Sequence, residues 1–181
     1  MHELSSIWVF WFSYKPTRLD KAELALQYEN KLVPMCEVRS VEDFFNSYCF
    51  IKRPSEMTRG QTLHLFKEGF KPLWETSLEG GCWILKLPRF SHFTDKYWEA
   101  LCFACIGGRF PDSVSGVLAS AKGSSVHLQI WTEHLPGPEE EVAQIIKEIL
   151  ALSNTALLFK SHRCSIEDMS TIKNATPVIL N

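Results

Sequence analysis

Residues 71–87, KPLWETSLEGGCWILKL, are the stretch around which the rest of the chain is organised. Its first half reads as a loop that carries Trp74 directly before Glu75, and Gly80-Gly81 then turns the chain into a strand over residues 83–87. A Trp contributes a large flat π-face, and an ionised Glu can only accept hydrogen bonds. Side by side, they can hold a flat ring that is electron-poor on its face and has two donors on its edge. A cationic, N7-alkylated guanine fits that description.

Length, charge and cysteine usage limit the classes of protein to which this chain can belong. The chain has 181 residues, enough for a single domain over residues 1–181 with a substantial core. Its net charge of -2 excludes a protein that grips long nucleic acid by charge alone. The six cysteines lack disulfide-scaffold spacing, and no signal sequence or membrane span is evident. We therefore expect no membrane association and a cytoplasmic location, with which a nuclear fraction is compatible.

Periodicity predicts alternating strands and helices. Strand patterns occupy residues 7–14, 33–38, 62–66, 83–87, 114–121, 126–132 and 156–160. A capping box at Ser40 opens the first of three helices, Thr94 caps the second, and acidic residues 139–141 begin the third. A long loop over residues 15–27 and a C-terminal polar segment over residues 161–177 complete the chain. Hairpin-joined strands with helices between them predict an α+β fold with a mostly antiparallel sheet.

Two of the helices carry apolar residues beyond what a core requires. The stripe on the first helix is wider than the usual core-facing width. A deeply buried helix explains this, and so does an edge at Val41 and Phe45 that docks a partner; both interpretations stay open. On the second helix, Phe103 falls off the stripe that the core residues form.

Catalytic and metal-binding patterns are lacking. Cys102 and Cys105 have metal or redox spacing, but both lie on the buried face of a predicted helix, and no second pair stands at ligand spacing. The six histidines form no i, i+4 ligand pair. His162-Arg-Cys164 lacks an ordering acid and an oxyanion loop. The sequence therefore predicts no enzyme, no catalytic residue, no metal and no cofactor.

Six motifs follow one another along the chain: Trp8-Val-Phe-Trp11-Phe, Val41-Glu-Asp-Phe-Phe45, Pro72-Leu-Trp-Glu75 with Gly80-Gly-Cys-Trp83, Tyr97-Trp-Glu-Ala-Leu-Cys with Ile106-Gly107, Ile130-Trp-Thr-Glu133, and Lys160-Ser-His162. In order and spacing the chain resembles the cap-binding translation initiation factor 4E family over essentially its whole length. The resemblance implies a curved, mostly antiparallel sheet with three long helices packed on its convex face. It also implies a concave slot for the 7-methylguanosine cap of messenger RNA.

Positions carried over from the family give the base-binding residues. Trp74 takes one side of the methylated base, and Tyr28 takes the other, where most members have a Trp. Glu75 accepts hydrogen bonds from the two donors of the guanine edge, and Trp131 packs against the N7-methyl group. Methylation makes the base cationic, so stacking between aromatic faces gains a cation–π contribution. Selectivity for the methylated base then follows from the sandwich.

The phosphate side departs from the family pattern. Its three usual basic positions fall on Cys82, Lys122 and His127, so only Lys122 is a dependable cation. We expect cap affinity to fall above the pKa of His127, which is ~6.5 if unperturbed. Other basic residues are candidates to compensate or to reach the nucleotides beyond the cap: Lys15, Arg18, Lys21 and Arg163.

A partner site is implied on the first two helices. The family docks a helical peptide, Tyr-x-x-x-x-Leu-Φ, from a 4G-type scaffold factor or a 4E-binding protein. The corresponding positions are His2, Val41, Phe45 and Phe103, with Phe45 in place of the usual Trp.

The implied function is recruitment of capped messenger RNA to translation initiation by a monomer that works within a larger complex. Two alternatives stay open. One is a cap-binding repressor or adaptor without a productive scaffold. The other is a module that acts through the partner site and has a weakened cap slot.

Overall fold

Eight strands pair into one antiparallel sheet in the computed structural model, which describes residues 1–15, 32–134, 139–152 and 156–178, with only the backbone of residues 139 and 140. The strands are β1 (Glu3–Tyr14), β2 (Val33–Ser40), β3 (Gln61–Lys67), β4 (Gly81–Pro88), β5 (Val114–Lys122), β6 (Ser125–Thr132), β7 (Leu157–Ser161) and β8 (Thr176–Val178). Their order across the sheet is β2-β1-β3-β5-β6-β4-β7-β8. This confirms the predicted α+β class with a curved antiparallel sheet.

Several predictions from the sequence lie outside the described residues. The long loop at residues 15–27 is described only at Lys15. Tyr28, Arg18 and Lys21 also lie outside. What the sequence indicates for them stays a prediction.

The described helices are α1 (Val41–Tyr48), α2 (His92–Ile106), α3 (Glu139–Leu150) and α4 (His162–Glu167). The predicted capping box opens α1. Asp43 N donates to Ser40 Oγ at 3.1 Å, and Ser40 N donates to the Asp43 carboxylate at 3.0 Å. Each bond satisfies a backbone N–H that the helix itself leaves without a partner.

The second helix begins three residues earlier than the cap prediction places it. Ser91, not Thr94, is the N-cap of α2, and its Oγ accepts a hydrogen bond from Phe93 N at 3.2 Å. Thr94 lies inside the first turn, and its hydroxyl donates to Pro88 O at 2.9 Å. The prediction of Thr94 as the cap is therefore wrong. The side chain ties α2 to the end of β4 instead.

The C-terminal polar segment contains a helix and a strand that its composition does not indicate. Ser161 caps α4, since its Oγ accepts a hydrogen bond from Cys164 N at 3.2 Å. Beyond α4 the chain returns as β8, which pairs with β7 along the edge of the sheet.

A buried ammonium organises the turn between α4 and β8. Lys160 Nζ donates to the Asp168 carboxylate at 2.5 Å, to Ser170 O at 2.8 Å and to Lys173 O. The hydrogen bond from Lys160 holds the pKa of Asp168 below its usual value. Three acceptors converge on one buried cation, so the charge is satisfied and the segment is held against the sheet.

Side chains alternate across the strands and give the sheet two packed faces. On the helix face, the main core joins strand residues to the inner residues of α1, α2 and α3, among them Phe10, Leu65, Leu85, Ile130, Phe44, Trp98 and Ile146. Cys102 and Cys105 belong to this core, and burial raises the pKa of both thiols. Their positions agree with the interpretation of this pair as core residues.

The opposite face, called the front face from here on, carries a smaller apolar cluster. This front-face cluster comprises Phe66, Cys82, Ile84, Leu118 and Trp131, and Trp11, Phe70, Trp74 and Leu158 pack against it. Gly116 lies beside it, at a register irregularity between β5 and β6. A Cβ there would lie 2.4 Å from the Phe66 ring, so the absence of a side chain makes room for that ring.

Gly116→Ala is expected to destabilise the fold by about 1–3 kcal/mol, because the methyl group would overlap the Phe66 ring and Leu65 O. Urea unfolding measures the change. Phe66→Leu removes the ring and should cost less in the Gly116→Ala background than in the wild-type chain. Equal costs in the two backgrounds would contradict an overlap with the ring.

Candidate functional site

Trp74 and Glu75 lie together on a 3-10 turn, Trp74–Thr76, between β3 and β4. The Thr76 hydroxyl fixes this turn by donating to Leu73 O at 2.8 Å. Trp74 is half-buried against the front-face cluster, whereas Glu75 is exposed. An aromatic ring and an accessible carboxylate are therefore neighbours on one ordered turn.

The C-terminal segment holds the loop that carries this turn. His162 N donates to Gly80 O at 2.9 Å, and Arg163 forms an ion pair with Glu79 at 2.7 Å. A Cβ on Gly80 would lie 2.0 Å from Thr132 O, so only glycine allows this close approach to β6. Arg163, a predicted candidate for RNA contact, is thus paired within the protein.

Trp131 lies on β6 within the front-face cluster and is 3% exposed. Its ring centroid is 5.4 Å from that of Phe66 and 4.2 Å from that of His162, and its Nε1 donates to Gln129 Oε1 at 3.1 Å. Because Trp74 packs against the same cluster, the structure brings these two predicted residues together. A ligand group can reach the Trp131 ring only where a neighbouring side chain gives way.

His162 is a buried neighbour of the predicted site that the sequence did not single out as a site residue. Burial lowers its pKa to about 3, so the ring is neutral at physiological pH. Neither ring nitrogen makes a hydrogen bond to any described residue. In the sequence, His162 belongs to the motif Lys160-Ser-His162. That motif indicated the family but did not indicate that His162 contacts the site.

Cys82 supplies no charge at its position. It lies opposite Trp131 in the β4–β6 register and is fully buried. Burial raises the pKa of the thiol to about 12, so it stays neutral. Lys160 is its partner on β7, but that ammonium is committed to Asp168. The neighbouring strand therefore does not replace the missing cation.

His127 is neutral near physiological pH. Burial, followed by repulsion from Lys122 and Lys86, lowers its pKa to about 4. This pKa lies below the ~6.5 of an unperturbed imidazole, so we do not expect titration of His127 to change affinity near pH 6.5. Its Nε2 lies 3.3 Å from Ser125 Oγ, and its Nδ1 makes no hydrogen bond within the described part of the chain.

Lys122 is the cation among the three predicted phosphate positions. Its side chain keeps contact with solvent, yet desolvation by the surrounding chain and repulsion from Lys15 lower its pKa to about 8. It therefore carries a positive charge at pH 7 and loses it at moderately alkaline pH.

A polar row crosses the front face and was not predicted. Register aligns Ser13 with Thr62, Thr62 with Ser120, and Ser120 with His127. The hydroxyls of Thr62 and Ser120 lie 2.9 Å apart, and Ser13 Oγ lies 2.9 Å from Nε2 of fully buried His64. The available signal was the recurrence of polar residues at alternate positions of otherwise apolar strands.

The residues predicted to bind a partner meet at α1 and α2. Val41 N donates to His2 O at 2.9 Å, which joins the N-terminal segment to the start of α1. The Phe45 and Phe103 rings lie 5.8 Å apart and are 53% and 38% exposed. Both rest on buried Phe44, at 5.6 and 5.5 Å. The helix α1 is therefore not deeply buried all round. It has an exposed edge at Phe45, which lies next to the buried ring of Phe44.

Within the described residues, no group of three or more His, Cys, Asp or Glu side chains could hold a metal ion. None of the described helices is long and apolar enough to cross a membrane.

Comparisons with known proteins agree on one family. The family model for eukaryotic initiation factor 4E matches residues 3–177. Translation initiation factor NCBP of Triticum aestivum is 29% identical over 181 residues, which covers 96% of this chain and 75% of the relative. Initiation factor 4E-4 of Caenorhabditis elegans is 28% identical over 182 residues, with 97% and 84% covered.

Solved structures agree with this. Ascaris suum eIF4E-3 in complex with the m7G cap superposes with a TM-score of 0.81 at 26% identity, covering 98% of this chain and 96% of the other. C. elegans eIF4E-3, bound to the 4E-binding protein Mextli and a cap analog, gives 0.80 at 23% identity, covering 92% and 95%, and shows the same fold. The chain therefore belongs to the eukaryotic initiation factor 4E family, a family of translation factors and not of enzymes.

Proposed function

We propose that this chain binds the 7-methylguanosine cap of messenger RNA. The observation that carries the proposal is the turn Trp74–Thr76, on which a ring packed against the front-face cluster neighbours the exposed carboxylate of Glu75. One carboxylate can accept charge-assisted hydrogen bonds from both donors on the guanine edge. Adenine does not present this pair of donors. The cationic base gains a cation–π contribution on the Trp74 ring that plain guanine lacks.

Further residues complete the proposed slot. Tyr28 is the second stacking face, and Trp131 contacts the N7-methyl group once the cluster around it opens. Lys122 binds the triphosphate as a cation, and His127 contributes a neutral N–H at most, since its pKa is about 4. The Ascaris suum relative was solved in complex with the m7G cap, which supports cap binding by this fold.

We further propose that the protein recruits capped messenger RNA to translation initiation in the cytoplasm through a scaffold protein. The exposed rings of Phe45 and Phe103 above Phe44 offer an apolar surface for the Leu-Φ end of a helical peptide. The complex of C. elegans eIF4E-3 with Mextli supports a protein partner of this kind. A repressor or adaptor role differs only in which protein occupies this surface.

A module with a weakened cap slot is the second candidate. It is favoured by the phosphate side, where Cys82 is a neutral buried thiol and His127 a neutral imidazole. Two of the three expected charges are then missing. In this case the partner site would carry the function.

Trp74→Ala and Glu75→Gln are each expected to weaken binding to 7-methyl-GTP roughly 10- to 100-fold, because they remove a stacking face and a charge-assisted acceptor. Calorimetry measures the dissociation constants. Glu68→Gln is the matched control, since Glu68 is exposed on the same β3–β4 connection and forms no ion pair within the described residues. Loss of affinity in the control as large as in Glu75→Gln would contradict the assignment of Glu75.

Lys122 should make triphosphate binding depend on pH between 7 and 9. With a pKa of about 8, it is about nine-tenths charged at pH 7 and about one-tenth charged at pH 9. Bound phosphate favours the charged form, so affinity for 7-methyl-GTP is present below pH 8 and falls as pH rises through it. Fluorescence titrations at several pH values measure this.

The control is Lys122→Arg, which keeps its charge across that range. Titration of the ligand itself is common to both proteins, so the ratio of their affinities isolates Lys122. Parallel pH profiles for the two proteins would show that Lys122 does not bind phosphate.

Phe45→Ala should weaken binding of a Tyr-x-x-x-x-Leu-Φ helical peptide by at least about 10-fold, because it removes an anchor ring from the peptide surface. Binding of 7-methyl-GTP should not change. Phe50→Ala is the matched control, since Phe50 is 88% exposed and lies outside the Phe45–Phe103 pair. Peptide affinity that is equal in both variants would refute the assigned surface.

A further inference from the structure

Five cations gather where the β5–β6 hairpin turns. They are Lys15, Arg59, Lys86, Arg89 and Lys122, called the hairpin-end cluster from here on. Lys122 and Lys86 lie on β5 and β4, on either side of β6, paired with Ser125 and His127 respectively. Backbone hydrogen bonds bring in two of the other three: Lys15 N donates to Gly60 O at 2.8 Å, and Arg89 N donates to Ser124 O at 3.0 Å. A Cβ on Gly123 would lie 3.9 Å from Arg59 Cδ.

The charges of this cluster lack ion-pair partners among the residues that the structure describes. Across the described ranges, none of the five cations forms an ion pair, although the chain as a whole has a net charge of -2. The cations act on one another: Lys15 lowers the pKa of Lys122, and Lys122 and Lys86 lower that of His127.

Two carboxylates lie on the adjoining loop and helix. Glu56 accepts a hydrogen bond from Arg53 N, and Asp95 accepts two from Ser55. Neither carboxylate lies within ion-pair distance of a cluster cation, so the like charges repel one another at a cost in free energy that an anionic ligand would recover.

An exposed aromatic ring lies in the same place. Phe90 is 82% exposed, and the Arg89 guanidinium carbon lies 5.1 Å from its ring centroid. A Phe in this position has almost no role in the core. Cationic grooves with accessible aromatic rings bind single-stranded nucleic acid, because the cations follow the backbone phosphates and every base has a face that stacks.

The cluster lies at the far end of the front face from the base-binding turn. Trp131 and His127 are four residues apart on β6, or about 14 Å along the strand, and Ser125 lies two residues further at the hairpin. A ligand with its base at Trp74 and Trp131 and its triphosphate towards Lys122 therefore points the rest of its chain at the hairpin-end cluster.

We propose that the hairpin-end cluster and Phe90 bind the first nucleotides of the RNA that follow the cap, with cations on the backbone phosphates and Phe90 stacked on a base. The proposal rests on the proposed function, since the cap slot sets the direction of the strand. An acidic peptide satisfies the charges but leaves the exposed ring without a flat partner.

Fluorescence anisotropy at about 50 mM salt compares labelled 7-methyl-GTP, which carries no nucleotide beyond the cap, with a capped RNA of eight nucleotides. The wild-type chain should bind the capped RNA about 10-fold more tightly than 7-methyl-GTP. The salt dependence for the longer ligand should be steeper by about 0.7 for each additional phosphate contact. Phe90→Ala with Lys86→Gln should remove most of this gain and leave the affinity for 7-methyl-GTP unchanged.

The matched control is Phe50→Ala with Lys52→Gln, which also removes an exposed ring and a nearby exposed cation but lies outside the cluster. It should retain the gain. Equal affinity of the wild-type chain for both ligands would overturn the inference while the proposed function stands, and failure to bind either ligand would overturn both. A uniform loss for both ligands in the Phe90 variant, or competition by polyglutamate as strong as by uncapped RNA, would also overturn it.

Discussion

Alternation of side chains along the central strands determines which residues lie on each of the two faces of the sheet. On β6, Val126, Leu128 and Ile130 enter the core under the helices, while His127 and Trp131 lie on the front face. A shift of one residue in register would exchange the two sets and place an imidazole and an indole under α2. The register that places the core residues under the helices therefore also determines which side chains lie on the front face.

The C-terminal segment adds a second constraint on the proposed cap site. Lys160 holds the turn after α4 through Asp168 and two carbonyl oxygens. That turn follows the helix whose first residue, His162, contacts both Gly80 and Trp131. The loop with Trp74 and Glu75 is therefore braced by residues that lie nearly ninety positions further along the chain.

The sequence predicted most of the architecture because its signals are local. Strand alternation, the β5–β6 hairpin and the Ser40 capping box depend on neighbouring residues, and the structure has all of them. The start of α2 was missed because Ser91 and Thr94 are equally good caps in isolation. The contact of Thr94 with Pro88 O, which decides between them, comes from the end of β4. The helix α4 and the strand β8 were not predicted, because the polar segment that contains them is held in place by one buried residue, Lys160. The composition of the segment does not show those contacts.

At the candidate site, the sequence indicated residues but not their protonation. Burial takes the pKa of His127 down to about 4, and no local pattern shows that burial. The same holds for the cations at the hairpin, which are spread from Lys15 to Lys122 and meet only through strand pairing and loop contacts. Such features depend on contacts between distant segments, which a single sequence does not display.

The turn at Trp74 and Glu75 is proposed to read a methylated guanine. This proposal is tested most directly by the ratio of affinities of the wild-type chain for 7-methyl-GTP and GTP, measured by calorimetry in one buffer. The two ligands differ by one methyl group and the positive charge that it creates, so the cation–π contribution is isolated. We expect 7-methyl-GTP to bind at least about 10-fold more tightly, which corresponds to about 1.4 kcal/mol. Equal affinities for the two nucleotides would contradict the proposal.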